Sequence, residues 1–198
     1  MDYPVYKLRI KEDTDTESGV EFTALVDLPA IEKNFIAFSS QKEVKLNFDT
    51  EKRIISGPLM LADTPIYRDN PEYGKHYIVF DSETIKQIAI KFSKKGFQNN
   101  VNLMHDSKLV VEGVTMFESF ISDSDRGILP MKGFEDSPNG SWFGSFYVEN
   151  DIVWQNIKAG NLKGFSVEGM FSYPDIKQSE EDILHAIQKL ISKIDILN

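Results

Sequence analysis

KGFSVEG, residues 163–169, places a serine between two aromatic or aliphatic neighbours and brackets it with Gly164 and Gly169. Read as a strand, its side chains alternate. Phe165 and Val167 point to one face, and Ser166 and Glu168 to the other. The apolar pair then enters a core. The serine face stays open, with the small glycines letting another backbone or a substrate come close. This is not the G-x-S-x-G nucleophile elbow, in which the serine occupies a strand-to-helix turn. Here the serine lies within a strand that is reached from a helix. Ser166 is thus either the polar side of an ordinary strand or a nucleophile held at the rim of a sheet.

Working outward, DIVWQNIKA (151–159) reads as a short helix with Asn150 as its cap and Gly160 as its close. SWFGSFYVE (141–149) before it is a strand. LVVEGVTMFESFI (109–121) reads as one long strand whose glycine marks a bulge or bend. VNLMH (101–105) is a short strand. A helix from Asp81 or Ser82 to about Lys95 carries Ile85, Ile88, Ala89 and Phe92 on one face and stops at Gly96. KHYIVF (75–80) is a strand, and ADTPIYRDNPEYG, with two prolines, is a loop. EVKLNFD (43–49) and KRIISGPLML (52–61) read as a pair, and PVYKLRIK (4–11) with VEFTALVD (20–27) as a hairpin.

The last stretch has a different pattern. Ser179, followed by Glu180, Glu181 and Asp182, resembles a capping box, with acids at the positive end of the helix dipole. Ile183, Ile187, Leu190, Ile194 and Leu197 recur at spacings of 4, 3, 4 and 3. That is a coiled-coil seam of about two heptads. It serves either a helix packed on its own sheet or a contact with another chain. The expected organisation is a β-rich domain over residues 1–173 and a C-terminal amphipathic helix over 174–198, in the α+β class.

The chain has 198 residues, of which 41% are hydrophobic and 12% aromatic, enough for a core rich in sheet. With 31 acidic and 22 basic residues, the net charge of −9 argues against nucleic acid and against an anionic membrane surface as partners. There is no cysteine, which excludes disulfides, thiolate catalysis and cysteine-ligated zinc. MDYPVYKLRI lacks the features of a signal peptide, and no apolar run is long enough to span a bilayer. A soluble protein made in a cytoplasm is expected. No metal or nucleotide motif stands out, so no cofactor is expected.

Of the three histidines, His185 reads as a helix-surface residue and His76 as structural. His105 ends an apolar run just before a loop, where a general base would be presented. A purely structural role fits it equally.

Several stretches, in order, resemble one family, the phage serine proteases of the XkdF type. These are grouped with the prohead proteases and, more distantly, with herpesvirus assemblin. The stretches are VEFTALVDLPAIEKNFIAF, ISGPLMLADTPIYR, YIVFDSETIKQIAIKF, VNLMHD, EGVTMFESFI, NDIVWQNIKAG and GFSVEG, within residues 20–173. The resemblance implies an assemblin-like assembly of β-sheet, barrel-like, with surrounding helices. It implies a serine endopeptidase with Ser166 as nucleophile and His105 as base. The third member in assemblin is a second histidine on a strand after the serine. Only His185 follows here, so a carboxylate takes the role. Glu118 in FESF is the first choice; Glu168, about 7 Å along the strand from Ser166, and Glu21 are alternatives. Asp106 adjoins His105 but points away on an extended chain. The implied substrates are phage scaffold and major capsid proteins, cut in the host cytoplasm inside the assembling prohead. A homodimer through the 183–197 seam is a further implied partner.

Overall fold

The computed structural model of the chain describes residues 3–10, 18–29, 47–49 and 52–174. Strands dominate. In chain order they are β1 (Val5–Lys7), β2 (Gly19–Val26), β3 (Asn47–Asp49), β4 (Ile54–Met60), β5 (Ile66–Asn70), β6 (Gly74–Val79), β7 (Val101–Leu103), β8 (Asp106–Val110), β9 (Val114–Ile121), β10 (Trp142–Val148) and β11 (Gly164–Met170). Helix α1 (Ser82–Lys94) lies between β6 and β7, and α2 (Asp151–Lys158) between β10 and β11. The strands form three sheets, ordered β1-β6-β5, β3-β4-β10-β9 and β11-β2-β7-β8. The class is α+β, as expected. Among the described residues no sheet closes into a barrel.

Both helices form where the sequence places them. Asp81 caps α1, accepting the Thr84 amide at 2.7 Å, and the apolar face buries Ile85, Ile88, Ala89 and Phe92. Asn150 caps α2 through the amides of Ile152 and Val153. One hydrophobic core joins the three sheets. Ile78 comes from the first, Ile55, Leu59 and Phe146 from the second, and Leu25, Val101 and Phe165 from the third. Phe146 meets Phe165 at 4.8 Å between ring centroids, and Phe92 of α1 meets Trp142 at 5.4 Å. The backbone of the serine strand is therefore fixed from behind by the β10 sheet.

Three expectations need correction. Strands β1 and β2 are not a hairpin. β1 runs parallel to β6, whereas β2 lies between β11 and β7. Alternation marks a strand but does not name its partner. The stretch 109–121 is not one strand. It breaks at Gly113 (φ +74°), whose carbonyl accepts the amides of Glu149 and Asn150. Strands β8 and β9 accordingly belong to different sheets. The expected loop after Ala62 holds a strand, β5, antiparallel to β6. Its prolines, Pro65 and Pro71, flank the strand rather than interrupt it. The pairing of β3 with β4 is as expected. The amphipathic segment 183–197 lies outside the described residues.

Candidate active site

Ser166 is buried within β11, opposite Ala24 of β2. Ala24 in turn lies beside Asn102 of β7. Ser166, Ala24 and Asn102 thus run across three strands, and Glu168 is two residues from Ser166 on the same strand. The bracketing glycines have specific neighbours. A Cβ on Gly164 would sit 2.4 Å from Cγ of Pro29, and one on Gly169 would overlap the Gly19 carbonyl. These glycines let β11 approach its own protein's loop and strand, not a substrate.

His105 is not at a strand end. Leu103 pairs with Asp106, so Met104 and His105 are the two central residues of the β7–β8 hairpin. Both have positive φ, 53° and 59°. A two-residue turn of this handedness matches the twist of the strands, but it ordinarily uses Asn-Gly or similar residues. Holding two residues with a Cβ in this region costs on the order of 1–2 kcal/mol each. The Met104 amide donates to the Leu25 carbonyl at 3.1 Å and ties the turn to β2.

The turn carries the imidazole to the end of the serine strand. His105 Nδ1 lies 3.1 Å from Glu168 Oε1. A carboxylate can only accept, so this contact favours the neutral tautomer with its proton on Nδ1, which leaves Nε2 free to act as a base. Asn102 Nδ2 donates to the same Oε1 at 2.7 Å. This fixes the amide orientation and leaves Asn102 Oδ1 buried without a partner. Ser166, His105 and Glu168 line one cavity of about 500 Å³. Its walls include Leu59, Ile66, Ile78 and Phe80, with Arg68 and Tyr173 among the polar groups. No hydrogen bond joins Ser166 to His105 in this structure, and the imidazole is about half exposed, at 44%.

The structure does not bring Glu118 to this group. Because the chain turns at Gly113, β9 pairs with β10, and Glu118 sits opposite Ser145 on the other four-stranded sheet, exposed. The carboxylate at His105 is Glu168, one of the alternatives to Glu118. It is distant along the strand from Ser166, but a hairpin from two strands away delivers His105 to it. Glu21 does not line the cavity, and Asp106 accepts the Lys108 amide instead. His76 is buried. Its Nδ1 donates to the Gly74 carbonyl at 2.8 Å, and its Nε2 accepts from the Tyr173 hydroxyl at 3.0 Å. Asn102 and Arg68 were missed by sequence reading. A polar residue inside the apolar run VNLM was a signal for the first; Arg68 was hidden by the loop reading of 62–74.

Desolvation raises the Tyr173 phenol, although Arg68 and a hydrogen bond from Asn70 pull it down, so it remains a donor to His76. Among the described residues no cluster of His, Asp or Glu is placed to hold a metal ion.

A family model described as "Putative phage serine protease XkdF" matches residues 43–173. The chain belongs to this family. The matched span contains Arg68, Asn102, His105, Ser166 and Glu168, and leaves Glu21 outside it. No curated protein and no solved structure matches the chain.

Proposed function

We propose that this XkdF-family chain is a capsid-maturation serine endopeptidase in which Ser166 is the nucleophile, His105 the general base and Glu168 the residue that orients it. The observation that carries this reading is the 3.1 Å contact of His105 Nδ1 with Glu168 Oε1, beside Ser166 in the lining of one cavity. Family membership supports the reaction class, and this geometry supports the residue roles.

In the proposed reaction, Ser166 Oγ attacks the peptide carbonyl carbon and His105 Nε2 takes the hydroxyl proton. The tetrahedral intermediate collapses, the C–N bond breaks and the imidazolium returns the proton to the leaving amine. Water, deprotonated by the same imidazole, then hydrolyses the acyl-enzyme. Glu168 holds the Nδ1–H tautomer throughout and stabilises the imidazolium. Closing of the exposed imidazole onto Ser166 accompanies substrate binding, as catalytic hydrogen bonds commonly tighten on complex formation.

The backbone around Ser166 favours a peptide over a small ester. The Thr23 amide and the Leu25 carbonyl both turn towards β7 or its flanks. Ala24 therefore serves β11 and pairs with Ser166. Phe165 and Val167 consequently present their N–H and C=O groups on the outer edge of the sheet, with no strand partner among the described residues. Such an edge accepts an extended chain by strand addition. Scaffold and major capsid proteins of the same phage, cut inside the prohead, are the substrates in this reading. An assemblin-like architecture and a dimer through the 183–197 seam belong to it as well.

Co-expression with the neighbouring scaffold and capsid genes tests the proposal. Wild type cleaves them, and Ser166→Ala and His105→Ala leave them intact while remaining folded. Intact substrates in the wild type would move the balance to a second reading, a protease-fold head-assembly protein without activity. The lack of a hydrogen bond between Ser166 and the half-exposed His105 favours that reading.

A further inference from the structure

Arg68 stands on β5 opposite His76 of β6, on the face that carries Ile66 and Ile78 into the cavity. It lines the same cavity as Ser166 and His105. Its Nη1 donates to the Tyr67 carbonyl at 2.9 Å, which fixes the direction of the guanidinium. No carboxylate pairs with it among the described residues. The acid in the cavity, Glu168, is committed to His105 and Asn102. Asp69 and Lys75 are cross-strand partners on the opposite face of the hairpin. Although Arg68 remains partly exposed, desolvation lowers its pKa, and the one ionisable neighbour that acts on it, the Tyr173 phenol, is neutral. A guanidinium in a cleft walled by Leu59, Ile66, Ile78 and Phe80 has lost part of its hydration and gained no counter-charge. Its remaining N–H fork matches a carboxylate in the bidentate manner.

We propose that Arg68 is a specificity-determining residue, binding a side-chain carboxylate, Asp or Glu, of the peptide to be cut. The proposal rests on the protease reading of Ser166, and the cavity between the two residues is of ordinary ligand size. The rest of the peptide lies along the β11 edge, with the acidic side chain directed across the apolar walls to β5.

Binding and cleavage are read separately, so that the two proposals can fail independently. Amidated decapeptide pools, random except for one central Glu or Gln, are titrated against Ser166→Ala, Ser166→Ala/Arg68→Gln and Ser166→Ala/Arg68→Glu. The Glu pool is expected to bind Ser166→Ala about tenfold or more tighter than the Gln pool, the range for a hydrogen-bonded charge. Arg68→Gln removes the discrimination. Arg68→Glu shifts preference to a Lys pool, a gain that unfolding cannot produce. Wild-type cleavage of the same pools, read by mass spectrometry, enriches Asp or Glu at one fixed distance from the cut. Equal binding of Glu and Gln pools overturns the role of Arg68 whether or not the wild type cleaves. A preference seen only with a free C-terminus overturns it too, because the terminal carboxylate would then be the ligand. Discrimination without any cleavage retains the acidic-peptide site and removes the protease reading.

Discussion

Glu168 reaches His105 across the end of β11, and the consequence for the proposed catalysis is specific. An amide at this position can offer its NH2 group to Nδ1, which inverts the tautomer and removes the base. Glu168→Gln is therefore expected to lower kcat by about 10³–10⁴-fold with the fold intact, as a tautomer error does in a serine–histidine triad. Glu118→Gln is expected to leave kcat within a factor of about two, since Glu118 is exposed on the other sheet. Steady-state kinetics of the two variants on one peptide checks both. At this scale the place of Ser166 was legible in the sequence, as a polar position in an alternating strand, whereas His105 read as a strand end and lies in the β7–β8 turn. The carboxylate was not legible. Which acid meets an imidazole depends on sheet order, and neither the spacing of Glu118 nor that of Glu168 encodes it.

Among the elements, the β7–β8 hairpin holds its histidine at a conformational cost. Met104 and His105 both occupy the left-handed region. Asparagine tolerates that region better than methionine. Met104→Asn is expected to stabilise the protein by about 0.5–1 kcal/mol, seen as a raised Tm, with activity kept. Helix α1 supplies a pH-dependent term. Desolvation raises the Asp81 carboxyl, but hydrogen bonds from Thr84 and the ion pair with Lys7 at 2.9 Å outweigh it and hold the group at about 2, below its ordinary value of 3.8. A depressed folded-state pKa stabilises above the unfolded value and loses that stability as pH falls through the folded one. The Asp81 contribution is thus complete above about pH 4 and lost between about pH 4 and 2. Asp81→Ala is expected to cost about 1 kcal/mol at neutral pH. Melting curves should converge with wild type near pH 2. The helices were legible because caps and one-faced periodicity are local signals. The β5 strand and the break at Gly113 were not, because prolines can flank a strand as well as interrupt it, and a glycine in an apolar run can bend a strand or end it.

For the whole molecule, the site exists because three sheets share one core. Phe146 of the β10 sheet packs on Phe165, next to the serine. Phe146→Ala is expected to cost about 3–5 kcal/mol by denaturant unfolding. The sequence announced a β-rich α+β protein through its aromatics and alternation. It did not announce that β2 would lie between β7 and β11, which is the arrangement that sets Asn102, Ser166 and Glu168 side by side. Partner choice among strands is a long-range property, set by burial of both faces rather than by any local pattern. In the proposed function this arrangement activates Ser166. The most direct measurement is labelling of the folded protein with a fluorophosphonate, followed by mapping of the adduct by peptide mass spectrometry. One adduct is expected, on Ser166, absent in Ser166→Ala and slowed at least about a hundredfold in His105→Ala. An adduct on another residue, or labelling at an unchanged rate in His105→Ala, would contradict the proposal.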